Sequence, residues 1–509
     1  MKAGLLAGLC CAAAWGAGGP EAWVPVRWDG GPLAAALRAG GRTSPSREAL
    51  EAIARWYEPA TLALVQGTPI NCLLLTLSGG SDRELEKRQL ALVQAYARKA
   101  RERGLAVLGL VSAGSDPAVT AAAAVQAQLD GVALEGEFPA ASYFAEQVRK
   151  SLRARNHGAL VIPVVSPEEA LREEDQPVVA VAGVSPGVGK MAESATASAT
   201  AGIWVDSNLW LARSLRAAAP GPVWLSHAPG AGTARDYARS IADAAAEGAQ
   251  WIVTLHDDLR PALRNGDAAA LELWRTIARA PAFFGEHTEW RGFAPYGRVG
   301  IVLDPAGANP AMTQEYLNLV ARRQIPYRVI RRAQLSAPLP ADLRALLAFD
   351  LAPPTEAERR LLSGFAAQGG LVLGGPAWGT PPRDQPYAVA STGEGEVAIY
   401  KEDFPDPQSV ARDLNDLLNT PDFGVSLFNA PSVLPAVSTS PSGAAMLIQM
   451  VNYSDTPASA LSIWVARQCR SARLYTPEGP PADLPLKRGS RRTEIAIPRL
   501  GVYGALLLE

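Results

Sequence analysis

Two acidic residues, Glu135 and Glu137, close the segment Asp130-Gly131-Val132-Ala133-Leu134-Glu135-Gly136-Glu137-Phe138-Pro139. If the segment is a strand, its two-residue period puts Ala133, Glu135 and Glu137 on one face and Val132 and Leu134 on the other. Two residues span about 6.6 Å along a strand. In a partly dry cleft that is close enough for one carboxylate to repel the other into keeping its proton. One protonated and one ionised carboxyl are what general acid/base catalysis needs. The plainer alternative pairs Glu135 internally with a residue such as Arg27 and leaves Glu137 to cap a loop.

Three more segments offer polar side chains directly after apolar runs. Thr254-Leu255-His256-Asp257-Asp258 could bind a sugar hydroxyl, form a second acid pair or ligate a metal. The metal reading is the weakest, because no other His or Asp cluster of ligand spacing accompanies it; Asp257 or Asp258 could equally cap the next turn. Leu225-Ser226-His227 presents His227 as a pocket-lining candidate with no carboxylate beside it. Arg27-Trp28-Asp29 offers Trp28 to stack on a sugar ring and Arg27 and Asp29 to bond its hydroxyls, or else Arg27 and Asp29 pair with each other. Gly183 to Met191 looks like a phosphate loop but its glycine spacing is one too long, and Met191 stands where a magnesium-binding Ser or Thr belongs. No Gly-x-Ser-x-Gly elbow or His-Glu-x-x-His helix supports an esterase or peptidase, and nothing calls for a cofactor.

These segments need a scaffold that brings strand ends together. From Trp23 to about Glu286 short apolar runs alternate with helical patterns: Trp23–Trp28, Ile70–Leu77, Leu105–Val111, Gly131–Glu137, Leu160–Val165, Val178–Val184, Pro222–Ser226 and Trp251–Leu255. Helix-like stretches Asp82–Arg103, Ala140–Arg155, Leu209–Ala218 and Ala234–Glu247 lie between them, and Asp206-Ser207 reads as a helix N-cap after an irregular sixth unit. Eight such units over 20–294 predict a (β/α)8 TIM barrel, whose functional residues sit at the C-terminal ends of the strands. A second α/β block over 295–420 predicts a doubly wound sheet, with Gly369-Gly370 turning a helix into the strand Leu371–Gly374. It has no cysteine, so no thiol chemistry, and a structural or assembly role is expected. From 421 to 509 alternating strands punctuated by Pro, Gly, Ser and Asp predict a β-sandwich.

With 509 residues, 48% of them hydrophobic and 19% charged, the chain can bury several cores and is not a disordered protein. Its net charge of −2 supplies no field for nucleic acid or anionic membrane. Met1-Lys2, the apolar run to Ala14 and the small residues through Gly19 have secretory signal-peptide grammar, so an exported, periplasmic or extracellular protein is expected, with no membrane association after removal of residues 1–19. Cys10 and Cys11 admit a lipoprotein alternative, although Leu9 is large for the position before a lipidated cysteine. Cys72 and Cys469 are far apart in the chain and imply neither a disulfide framework nor a metal site.

The whole then resembles a known plan. A leader, a barrel, a middle domain containing Phe365-Ala366-Ala367-Gln368-Gly369-Gly370-Leu371-Val372-Leu373 and a final sandwich opening on Leu447-Ile448-Gln449-Met450-Val451-Asn452-Tyr453-Ser454 are similar to family 42 β-galactosidases and related barrel glycosidases. Their middle domain is an amidotransferase-like trimerisation module without its nucleophile, so the resemblance implies a homo-oligomer and a carbohydrate substrate. Asp130, Gly131 and Glu137 also match the fourth-strand motif of family 18 chitinases, from which Ala133 and Glu135 depart. Family 42 enzymes carry Asn-Glu after strand four and a nucleophilic Glu after strand seven, where this chain has Gly136-Glu137 and Ser226-His227. A retaining pair needs carboxyl groups about 5 to 5.5 Å apart. The resemblance therefore implies a glycoside hydrolase with Glu137 as acid/base and Glu135, Asp257 or Asp258 as the second carboxylate, or a barrel that binds sugar without cleaving it.

Overall fold

Apolar runs too short to be helices, each bounded by Gly, Asp or Pro, become the barrel strands. The computed structural model describes residues 18–40, 45–80, 82–136, 138, 141–172, 176–188, 204–218, 221–335 and 338–509. The expectations for the leader (1–17), for Glu137 and for Gly189 to Met191 fall outside the described residues.

The chain divides into two compact units, one running to Val164 and including Asp257–Asp267, the other Val165–His256 with Ala268–Glu509. In the first unit, β1 (Pro25–Arg27), β2 (Cys72–Ser78), β3 (Ala106–Ser112), β4 (Gly131–Glu135) and β5 (Leu160–Val165) pair in parallel in chain order. Their partners are α1 (Gly31–Ala39), α2 (Arg47–Ala54), α3 (Arg83–Arg101), α4 (Pro117–Gln126) and α5 (Ala141–Arg153). Asp82 and Asp116 cap α3 and α4, each carboxylate accepting two backbone N–H bonds, which satisfies donors that a helix start leaves orphaned.

The second unit continues with α6 (Pro167–Arg172), β6 (Val179–Ala182), the ribbon of β7 (Gly187–Val188) and β8 (Val205–Asp206), α7 (Leu209–Ala218), β9 (Val223–Ser226), α8 (Ala234–Ala245), β10 (Gln250–Trp251) and β11 (Val253–Thr254). The sheet order is β10-β9-β6-β5-β4-β3-β2-β1-β11. It starts and finishes on the two halves of one interrupted strand, so this parallel sheet is a nearly closed barrel. The TIM-barrel expectation holds. Ser207 Oγ accepts from Leu209 N–H at 3.1 Å, the start signal read from Asp206-Ser207.

A six-stranded sheet follows, built from β13 (Val299–Leu303), β14 (Tyr327–Arg331), β15 (Ala345–Leu347), β16 (Leu371–Gly374), β17 (Tyr387–Thr392) and β18 (Gly395–Tyr400) in the order β14-β13-β15-β16-β18-β17. All pairs are parallel except the β17–β18 hairpin. The last segment is two antiparallel sheets, and the six-stranded one recruits β12 (Ala294–Pro295) from ahead of the doubly wound sheet. Between them lies an apolar core that includes Val433, Ile448, Leu461, Ile463, Ile495, Ile497 and Leu506, all 0% exposed. Cys72 and Cys469 are both buried and unbridged. No described helix is long and apolar enough to cross a membrane.

Candidate functional site

At the C-terminal end of β1 the chain alternates sides. Arg27 and Asp29 share one face, and Trp28 faces the other. Trp28 is 0% exposed, tilted against Trp56 at 4.8 Å, and its indole N–H donates to Tyr96 Oη at 2.8 Å. The expectation that Trp28 stacks on a sugar ring is therefore corrected. Adjacent residues of a strand cannot share a face, so a tryptophan between Arg27 and Asp29 belongs to the helix layer.

Arg27 and Asp29 begin a row of alternating charge. Arg27 Nη1 meets Glu135 Oε2 at 2.6 Å, and its Nε donates to Asp29 Oδ2 at 2.8 Å. The same Asp29 oxygen accepts from Arg38 Nη2 at 2.8 Å and has Arg260 Nη2 at 3.7 Å. Arg38 Nη1 and Arg260 Nη1 each reach Asp257 Oδ1 at 3.1 Å. Three carboxylates and three guanidiniums thus balance. The internal pair of Glu135 with Arg27 is present, and so is the mutual pair of Arg27 with Asp29.

Local folding explains why these residues meet. Gly136 lies at φ +108°, a backbone state that other residues rarely adopt, so the chain turns immediately after Glu135. Arg38 sits in the last turn of α1, whose start is held by the fully buried Gln89: Oε1 accepts from Leu33 N–H, and Nε2 donates to the carbonyls of Gly30 and Thr76. Gly31, at φ +83°, lies so close that a Cβ there would fall 2.2 Å from Gln89 Oε1. Arg260 is one turn beyond Asp257 on α9 (Leu259–Arg264). Asp258 stands at the N-cap position of α9, one of the two places expected for a capping aspartate, and its side chain makes no cap hydrogen bond there.

Burial divides the row into a core and two reachable ends. Arg260 is 0% exposed and the Asp29 side chain 4%, whereas Glu135, Asp257, Arg27 and Arg38 keep between 21% and 29% of their side-chain surface. Burial pushes the Asp29 carboxyl up, but Arg27, Arg260 and Arg38 outweigh it and bring the pKa to about 2. Burial alone would lower the Arg27 pKa; Asp29, Glu135 and Asp257 more than reverse that. For Arg260 burial prevails and the pKa falls, against the pull of Asp29 and Asp257.

Neither Arg38 nor Arg260 was among the residues expected from the sequence. The only trace of Arg260 is its spacing of three from Asp257 on a helix. For Arg38 there is no sequence signal, since Asp257 is 219 positions away.

His227 and His256 belong to the second unit. The His227 ring stacks on Trp251 at 5.1 Å, with Nδ1 2.9 Å from the Ala228 carbonyl. Burial drives its pKa down to about 4, partly opposed by that carbonyl, so the neutral ring donates from Nδ1. His256 N–H donates to Tyr237 Oη at 2.8 Å, and its ring packs beside Gly232. Among the described residues no three His, Cys, Asp or Glu side chains form a group able to hold a metal ion.

The architecture recurs in solved structures. Alpha-L-fucosidase isoenzyme 2 from Paenibacillus thiaminolyticus superposes with a TM-score of 0.59 at 10% identity, over 89% of this chain and 96% of that one. An exo-beta-1,4-mannosidase, Op5Man5 from Opitutaceae bacterium strain TAV5, gives 0.45 at 14% identity, over 86% and 87% of the two chains. An exo-carrageenase GH42 from Bacteroides ovatus gives 0.38 at 10%, over 72% of this chain and 54% of that one. The expected likeness to a barrel glycoside hydrolase holds, at the level of the fold, in the fucosidase. No family model matches the sequence, and no curated protein does.

Proposed function

We propose that this chain acts on a carbohydrate at the C-terminal mouth of its barrel, hydrolysing a glycosidic bond. Glu137 is the proton donor in this reading, and Glu135 or Asp257 supplies the second carboxylate. The supporting observation is the row Glu135–Arg27–Asp29–Arg38–Asp257, gathered from the end of β1, the end of β4, α1 and the segment before α9, with an acid at each reachable end. A carboxylate held against a guanidinium at 2.6 Å is set up to attack or to accept a proton, not to give one. The proton donor must then be another acid, and Glu137 lies just beyond Gly136. Arg27 and Arg38 are the hydroxyl-binding groups of this reading. The leader-like start supports a protein that works outside the cytoplasm.

A panel of aryl glycosides tests this directly. The parent chain should cleave at least one. Glu137→Gln should lower kcat by about 10²-fold to 10⁴-fold, with the smallest loss on the best leaving groups, and Glu135→Gln or Asp257→Asn should be at least as damaging. A parent chain inert across the panel overturns the hydrolase reading. One observation favours a second reading, binding without cleavage: every described acid of the row is already engaged by arginine. Oligosaccharide binding by calorimetry, without hydrolysis and weakened by Arg27→Gln, would support it.

A further inference from the structure

A different part of the molecule carries uncompensated positive charge. In the second unit Arg298, Arg328 and Arg467 line one open cleft of about 300 Å³, together with Tyr296 and a single acid, Asp342. Arg328 and Asp342 neutralise each other through a bidentate pair at 2.6 and 3.1 Å. The other two arginines have no carboxylate partner among the described residues. Arg298 donates to Tyr296 Oη at 3.1 Å and to the Pro421 carbonyl at 3.1 Å; Arg467 donates to the carbonyls of Gly443 and Ala444 at 3.3 and 2.7 Å. Both are half-buried. Backbone carbonyls hold the two guanidiniums in place without cancelling their charge, and each keeps N–H groups unspent. Small residues (Gly424, Gly443, Ala466) line the cleft around them, leaving room for a ligand.

We propose that this cleft is a second ligand site, independent of the barrel mouth, that takes an oxyanion, either a sulfate or a carboxylate group. Planar guanidiniums suit such groups because they present paired N–H donors to two oxygens at once. Arg298 reaches the cleft from the start of the doubly wound sheet and Arg467 from the sandwich, so a bound oxyanion would bridge the two.

Calorimetric titration of the full chain at low ionic strength tests the proposal with three probes: inorganic sulfate, glucuronate and uncharged glucose. Saturable binding of sulfate, glucuronate or both is expected, weakening as salt rises, and the probe that binds tells an inorganic or ester sulfate from a sugar carboxylate. The double variant Arg298→Gln/Arg467→Gln keeps donors for the backbone carbonyls and removes both charges. It should bind at least tenfold more weakly while its far-ultraviolet spectrum is unchanged. If the double variant does not fold, Arg467→Gln alone should weaken binding at least threefold. No binding of either anion by the parent, glucose binding that the double variant loses along with glucuronate, or anion binding unchanged in the variants overturns the proposal. None of these results depends on whether the barrel hydrolyses anything.

Discussion

Arg260 is the residue on which the charged row turns. Its side chain is 0% exposed and holds Asp257 at 3.1 Å and Asp29 at 3.7 Å. Removing one member of a buried ion pair strands the other, at a cost of about 3 kcal/mol or more. Arg260→Met should therefore lower urea-unfolding stability by that order; an unchanged midpoint would mean that these pairs do not support the fold. Two buried aspartates give opposite pH dependences. Asp29, brought down to about 2, stabilises the chain at pH values above its unfolded value, and that contribution, about 2 kcal/mol, is lost as pH falls from about 4 towards 2. Asp350 is raised to about 6 by burial and by the charge of Asp304, against the Asp304 N–H it accepts at 2.6 Å. Its native form holds a proton that the unfolded chain has released, so stability falls as pH rises through the window from about 4 to 6, by about 3 kcal/mol. Asp350→Asn should flatten the stability profile across that window.

Elements hold these residues only as firmly as their own ends are tied. Helix α8 begins with a capping box in which Thr233 Oγ1 accepts from Asp236 N–H and the Asp236 carboxylate accepts from Thr233 N–H. Thr233→Ala should cost about 1 kcal/mol, read by thermal unfolding. Further along α8, Asp243 is fully buried, and its carboxylate accepts from Tyr453 Oη at 2.6 Å, Ser207 Oγ at 3.0 Å and Asn208 Nδ2 at 2.8 Å. Burial raises its pKa, and these donors oppose the rise. Tyr453→Phe removes one donor from a buried acid, so a loss of about 1 to 3 kcal/mol is expected, with faster amide exchange at the start of α7. Much at this scale was legible in the sequence: α7 has the expected bounds Leu209–Ala218, and α3 and α5 lie within two residues of expectation. Their amphipathic spacing is a local property. The charged row was legible in part. Strand periodicity puts Arg27 and Asp29 on one face and Trp28 on the other, and only the tryptophan's assignment as a sugar platform ignored that rule.

Across the whole second unit, the sandwich covers apolar surface of the barrel helices. Leu434, Leu447, Val451, Tyr453 and Tyr503 pack in one cluster with Val205, Leu209, Ala242, Phe283 and Trp290, and Gln449 Nε2 donates to the Ala246 carbonyl at 2.7 Å. A chain ended after Gly292 would expose this cluster and should aggregate on size-exclusion chromatography where the full chain does not. Composition and periodicity by themselves determined the βα repeat, the change to antiparallel strands near the end of the chain and the acid at the end of β4, because each depends on neighbours within one or two turns. Only the tertiary structure decided what those acids face. Arg38 and Asp257 are brought together from 219 positions apart, and no local pattern can encode which guanidinium will compensate which carboxylate once both leave water.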